Sequence, residues 1–346
     1  MKIKNVLAIF KKVRYIKNVL RRYSDRMVKG NYVMHDNFRA LALSDEKIIS
    51  CANSYFVSPN VSPRMVGIAR KVNNLNCFVN RNRKTTAEYD AIYTSNNLDK
   101  VREVKLFSFK NNKILTICTS QEEKDKQIEQ YEWLKNDYNL PCVKGSDYYP
   151  NAYEISMIFL KDFPGDEAAL RTICQSTIKA NPMINGLNKI SVKELIKYSY
   201  ENEEIDQLLN SLCLKINENV LNLEIPICKQ HGDLSKQNLL YGIADEKKDF
   251  WWIDWEHINE RVFFYDFFFY IINSAFYSDT KAYDIYMSGK IDDVLNDYFS
   301  HFGLSFETEK KKEYLMIFAV VFLKERVCDF GRVEALKEYC DFIDTH

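Results

Sequence analysis

Ile227-Cys228-Lys229-Gln230-His231-Gly232-Asp233-Leu234-Ser235-Lys236-Gln237-Asn238-Leu239-Leu240-Tyr241, followed after a short polar stretch by Trp251-Trp252-Ile253-Asp254-Trp255-Glu256, decides the reading of this sequence. The first segment has the form His-Gly-Asp-x-x-x-x-Asn. The second is an apolar run that delivers an acid. Ile225, Ile227, Leu239 and Leu240 flank the polar loop and anchor it in a core at both ends. Phosphoryl transfer needs a carboxylate that orients the attacking hydroxyl and accepts its proton, and oxygen ligands that hold magnesium on the phosphates. Magnesium takes hard oxygens but only one or two protein carboxylates, with water and phosphate filling the rest. Asp233 fits the base, and Asn238 and Asp254 fit the metal ligands. A surface turn of ordinary polar residues would explain His-Gly-Asp alone. It does not explain both halves, which fit a single mechanism.

His231 to Asn238, with Ile253-Asp254-Trp255-Glu256 and the Phe263-Phe264-Tyr265-Asp266-Phe267-Phe268-Phe269-Tyr270 block, closely resembles the aminoglycoside phosphotransferase and choline kinase family. The resemblance is strong over residues 225–272, loose over 85–165 and absent over 1–80. It implies a two-lobed protein-kinase-like fold, a small antiparallel-sheet N-lobe plus a mainly helical C-lobe. It also implies ATP or GTP as co-substrate, Mg2+, and phosphorylation of a hydroxyl. Carried over residue by residue, Asp233 is catalytic, Asn238 and Asp254 bind magnesium, His231 shapes the loop and Asp266 braces it from a helix. Ser235, Lys236 and Glu256 are candidates for phosphate or acceptor contacts.

Working outward, Glu88 to Thr94, Val101 to Phe109 and Lys113 to Thr119 read as strands, with a turn at Lys110-Asn111-Asn112 between the last two. Gln121 to Tyr138 reads as a helix with Ser120 as N-cap. Tyr153 to Leu160 reads as a further strand. Beyond Pro164-Gly165 helical patterns take over: 168–180, 192–200, 203–214, 216–223 and from Asp266 onward, interrupted by strands over 226–254. Segregated strand-rich and helix-rich halves predict an α+β chain. The expected divisions are a basic helical segment over 1–30, a nucleotide-binding N-lobe over 31–160 and a helical C-lobe over 161–346. The family places a cation for the nucleotide phosphates on a strand and a glutamate on the following helix. Glu129 is the candidate glutamate. Lys113 only begins its strand, so Lys105, mid-strand among Val104, Leu106 and Phe107, is the candidate cation; a solvated strand face is its ordinary alternative. Ser95-Asn96-Asn97 stands where a glycine-rich loop would be.

The 346 residues are 46% hydrophobic and 28% charged, with a formal net charge of zero, which is the composition of a globular protein with no overall electrostatic case for nucleic acid. Nine cysteines are scattered without CxxC pairs and read as reduced, mostly buried thiols of a cytoplasmic protein. Residues 1–30 combine many lysines and arginines with apolar Ile3, Leu7, Phe10, Val13, Ile16, Leu20 and Tyr23 at helical spacing. Such a helix can lie on an anionic membrane surface at the inner face, or lay its stripe on the body of the protein. The aromatic block at 263–270 reads as buried helix packing more readily than as a cage for a quaternary amine. The acceptor is expected to be a hydroxyl-bearing small molecule or glycan: a sugar, amino sugar or amino alcohol, including a surface-polysaccharide intermediate. Two rival readings stay open. One is a non-catalytic kinase-fold scaffold or sensor, favoured by the lack of a lysine in the middle of the strand at Ile114 to Cys118. The other is a protein Ser/Thr kinase, disfavoured because so little chain separates Asp254 from Asp266 for an activation segment.

Overall fold

Period-two alternation in the first half builds one antiparallel sheet, and period-3.6 patterning in the second builds a helical body. The computed structural model describes residues 3–35, 39–55, 77–79, 87–94, 103–182, 186–197, 203–276 and 278–330. The turn expected over residues 57–64 from Pro59 and Pro63, and Ser95–Asn97, lie outside the described residues. The chain forms two compact units. The first comprises residues 1–134, 140–162 and 241–249, and the second comprises 135–139, 163–240 and 250–346. The α+β class expected from the sequence is the one observed.

The first unit contains α1 (Ile3–Arg22), β1 (Gly30–Met34), β2 (Ala40–Leu43), α2 (Glu46–Tyr55), β3 (Cys77–Val79), β4 (Ala91–Thr94), β5 (Glu103–Ser108), β6 (Lys113–Cys118), α3 (Gln121–Leu134), β7 (Val143–Gly145), β8 (Ala152–Ser156) and β9 (Phe159–Leu160). Eight of these strands form one sheet in the order β3-β1-β2-β4-β5-β6-β8-β7. Val104, Leu106, Leu115 and Ile117 point to one face, where they share a core with Val13, Ile16, Val19 and Leu20 of α1. That half of the basic helix therefore lays its stripe on the body, while Lys11, Arg14, Arg21 and Arg22 stay exposed. Helix α3 starts where the cap residues put it: Ser120 Oγ accepts the Glu123 N–H at 3.1 Å, and the Glu123 carboxylate accepts the Thr119 N–H at 3.0 Å. It ends at Leu134, short of the expected Tyr138.

The second unit contains α4 (Asp166–Ala180), β10 (Lys189–Ser191), α5 (Val192–Leu195), α6 (Glu203–Cys213), α7 (Glu218–Leu221) and β11 (Glu224–Gln230). The hairpin β12 (Leu239–Ala244) and β13 (Lys247–Trp252) follows, its residues 241–249 belonging to the first unit, and then, in the second unit, come β14 (Asn259–Val262), α8 (Tyr265–Phe276), α9 (Lys281–Met287), α10 (Asp292–His301) and α11 (Lys311–Phe330). Of the helix expected over 192–200, the described residues form a single turn, Val192–Leu195, which Ser191 caps by accepting the Glu194 N–H at 3.2 Å. Helix α8 is buried along nearly its whole length. Phe263 stacks on Phe302 at 4.4 Å, and Phe268 meets Tyr286 edge-on at 5.4 Å, so the aromatic block is helix packing. Strand β11 pairs antiparallel with β14, with Gln230 opposite Asn259, which delivers the chain at His231 beside the first turn of α8.

Candidate active site

All five residues of the motif core, His231, Asp233, Asn238, Asp254 and Asp266, fall in the second unit. The loop after β11 is braced from below. Asp266, in the first turn of α8 and fully buried, accepts the His231 N–H at 2.6 Å and the Gly232 N–H at 2.8 Å, one on each carboxylate oxygen. Its own N–H goes to Gln230 Oε1 at 3.1 Å. Burial pushes the Asp266 carboxyl up to about 6, against the opposing pull of the two amides and of Arg261. Charge-assisted bonds of this kind contribute about 1.5–3 kcal/mol each, so the brace is a major local term.

Gly232 is required at its position. Its φ is +82°, and a Cβ there would lie 2.5 Å from both the His257 carbonyl oxygen and Arg261 Nη1. Arg261 fills that space: its Nη1 donates to the His257 oxygen at 2.9 Å and its Nε meets Glu325 of α11 at 2.8 Å.

His231 joins the two halves of the motif. Its Nδ1 accepts the Asp233 N–H at 3.3 Å, so the proton sits on Nε2, which donates to the Ile253 carbonyl at 2.8 Å. Trp255 covers the ring at 4.6 Å, and burial lowers the imidazole pKa to about 4. The other peptide group of Ile253 is held too, because its N–H donates to the Asn238 carbonyl at 3.0 Å. The residue preceding Asp254 is thus fixed at both ends to the loop that carries Asp233 and Asn238. Asp254 itself has φ +66°, a left-handed backbone that a non-glycine residue holds only where the surroundings enforce it.

Asn238 is buried, and its Nδ2 donates to the Asp233 carbonyl at 2.7 Å with Asp233 Oδ2 at 3.4 Å. That leaves Oδ1 as the side-chain acceptor for a cation. Asn238 Oδ1 and the exposed Asp254 carboxylate make a hard-oxygen donor set of the size magnesium uses. Among the described residues no cluster of three or more His, Cys, Asp or Glu side chains is arranged for a metal. Ser235 caps the loop turn, its Oγ accepting the Gln237 N–H at 3.3 Å. Lys236 does not project freely: its Nζ lies 2.6 Å from Asp166 and 2.7 Å from Asp279. Asp166 and Asp279 were not anticipated from the sequence, and nothing local marks them. Glu256 is exposed.

The nucleotide-side candidates, Lys105 and Glu129, lie in the first unit. Lys105 meets Glu103 at 2.8 Å on the same face of β5, and Glu129 is exposed on α3. Lys113 is held by Glu88 at 2.6 Å and Glu154 at 3.2 Å. Where α3 faces β6 and β8, Gln127 Oε1 accepts from Tyr153 at 2.6 Å and from Cys118 Sγ at 3.9 Å.

The fold and loop define an α+β chain with a braced acidic loop feeding a hairpin-borne aspartate. The chain is similar to solved choline kinase and aminoglycoside phosphotransferase structures. Choline kinase LicA from Streptococcus pneumoniae aligns with 82% of this chain and 100% of its own at 13% identity and a TM-score of 0.43. The GDP complex of aminoglycoside 2'-phosphotransferase-IIIa aligns with 87% of this chain and 98% of its own at 13% identity and 0.41. Amicoumacin kinase hAmiN, in complex with AMP-PNP, Ca2+ and Ami, aligns with 73% and 88% at 10% identity and 0.43. No protein-family model matches the sequence, and no curated protein matches it.

Proposed function

We propose that this chain is a nucleotide-dependent phosphotransferase that moves the γ-phosphate of ATP or GTP to a hydroxyl of a small-molecule or glycan acceptor. The observation that carries the reading is Ile253, tied at both peptide groups to the loop of Asp233 and Asn238, so that Asp254 is presented with that loop. Asp233 is the group that orients the acceptor hydroxyl and takes its proton, since its backbone and side chain are both held by loop contacts. Asn238 Oδ1 and Asp254 would hold Mg2+, which supplies charge neutralisation on the nucleotide phosphates. Lys105, mid-strand on β5 and paired with Glu103 at 2.8 Å, is the cation assigned to those phosphates. The acceptor class proposed is a sugar, amino sugar or amino alcohol. The exposed Lys11, Arg14, Arg21 and Arg22 support a peripheral contact with anionic membrane at the cytoplasmic face.

The test is magnesium-dependent nucleotide hydrolysis by the wild type, Asp233→Ala and Asp254→Ala. Slow hydrolysis that both variants lose is the expected result. Hydrolysis that persists in both variants refutes the assignment of these residues. That Gln127, and not Glu129, is the α3 side chain bonded to Tyr153 and Cys118 favours one second reading, a kinase-fold nucleotide sensor without turnover. That reading predicts magnesium-dependent binding that Asp254→Ala weakens, with no hydrolysis on any acceptor.

A further inference from the structure

Lys236 lies in sequence between the candidate base Asp233 and the candidate metal ligand Asn238, and its ammonium is already paired. Its Nζ sits 2.6 Å from Asp166 Oδ1 and 2.7 Å from Asp279 Oδ2. The rings of Phe163 and Tyr270 lie with their centroids 5.9 Å from the same nitrogen. Asp166 is only 5% exposed, and Tyr270 Oη donates to it at 2.9 Å. A buried carboxylate with a neutral donor alone would be poorly compensated. The turn that carries Asp279 is fixed as well, since the Asp279 N–H donates to Ser274 O at 3.0 Å and Ser278 holds φ +67°. Two carboxylates and two aromatic rings around one ammonium make a cation site, and here the occupant is the protein's own lysine.

We propose that Lys236 is a positioning residue. Its charge clamps the Asp233–Asn238 loop to the start of α4 and to the turn after α8, and its removal opens a site that takes a primary alkylammonium ion. Asp166 and Asp279 hold Lys236, and Lys236 holds the loop, so the acids act without touching substrate. The catalytic half of this inference rests on the phosphotransferase reading; the binding half does not.

The experiment uses the full chain carrying Lys236→Ala, with ethylammonium as the probe. Tetramethylammonium, which cannot donate a hydrogen bond, and sodium chloride are the controls. Ethylammonium is expected to raise the thermal midpoint of Lys236→Ala by several degrees, leaving the wild type unmoved and the controls without effect. In hydrolysis, kcat is expected to fall by about tenfold with nucleotide KM unchanged, and to recover with ethylammonium. Lys236→Arg keeps the charge and is expected to retain most of kcat. A Lys236→Ala protein that ignores ethylammonium, or that the controls stabilise equally, overturns the proposal. If no protein hydrolyses nucleotide, the functional reading fails while the thermal arm still decides the clamp. Should Lys236→Ala not fold, Asp279→Asn removes only the more exposed carboxylate. A lower thermal midpoint supports the clamp, and a midpoint equal to wild type overturns it.

Discussion

Acid acts on the His231–Asn238 loop through His231, and the size of the effect follows from the burial of that ring. The imidazole is enclosed beside Trp255 and Trp252, and its pKa falls from 6.5 to about 4, chiefly because burial disfavours the charged form. A histidine lowered on folding is protonated first in the unfolded chain. Its neutral form therefore contributes full stability above 6.5, loses it as pH falls, and loses little more below about 4. At about 1.4 kcal/mol per pH unit, the loss by pH 4 is about 3 kcal/mol. Asp266 runs the other way. Its carboxyl is raised to about 6, so the folded form takes up a proton more readily and gains stability as pH falls from there towards 3.8. The total acid profile mixes both groups, and a difference measurement separates them. In His231→Gln the amide can still donate to the Ile253 carbonyl, but the variant has no ionisable ring, and Asp266 is common to both proteins. Urea denaturation at about pH 7 and about pH 4 is expected to show the variant gaining about 3 kcal/mol relative to wild type over that interval. If the two proteins lose stability in parallel, His231 is not held neutral by burial.

The remaining predictions concern the loop, the first unit and its helix. Gly232→Ala meets a backbone carbonyl and a guanidinium at 2.5 Å with φ +82°, so it is expected to lower the urea midpoint, with roughly 1–3 kcal/mol from backbone strain alone. Lys105→Met is expected to raise the nucleotide KM with little change in thermal midpoint. Lys113→Met strips a cation from the nearly buried Glu154 and is expected to cost about 1–3 kcal/mol of stability with nucleotide KM unchanged; the reverse pattern would exchange the two lysines' roles. Charge-reversing Lys11 and Arg14, which are exposed while Val13 and Ile16 are core, is expected to abolish sedimentation with anionic vesicles without unfolding the protein. Sedimentation equal to wild type would remove the membrane contact.

What could be read in the sequence was whatever the chain itself keeps close. Asp233 and Asn238 share one turn, and Asp254 follows on the next hairpin, so spacing alone was enough to read the three together. Asp266 was legible only through the family resemblance, because its partners are the amides of His231 and Gly232 and no side-chain pattern announces an acceptor of backbone N–H groups. Asp166 and Asp279 were not legible at all. Each sits far along the chain from Lys236, and an acid at a helix start or in a turn is ordinary. The two lysines show how narrow the margin can be. The strands on which they lie, β5 and β6, pair with Lys105 opposite Thr116 and Ser108 opposite Lys113. Lys113 is thereby on the face of Leu115 and Leu106, and Lys105 on the face of Cys118, which α3 covers. A turn one residue longer or shorter would put both lysines on one face, since a slip of one flips every side chain of the shifted strand relative to its partner. The turn runs over residues 109–112 and closes through Asn112 at φ +56°. Its length, which composition alone does not determine, keeps the two lysines on opposite faces, with Lys105 on the α3 side and Lys113 in the Glu88–Glu154 pair.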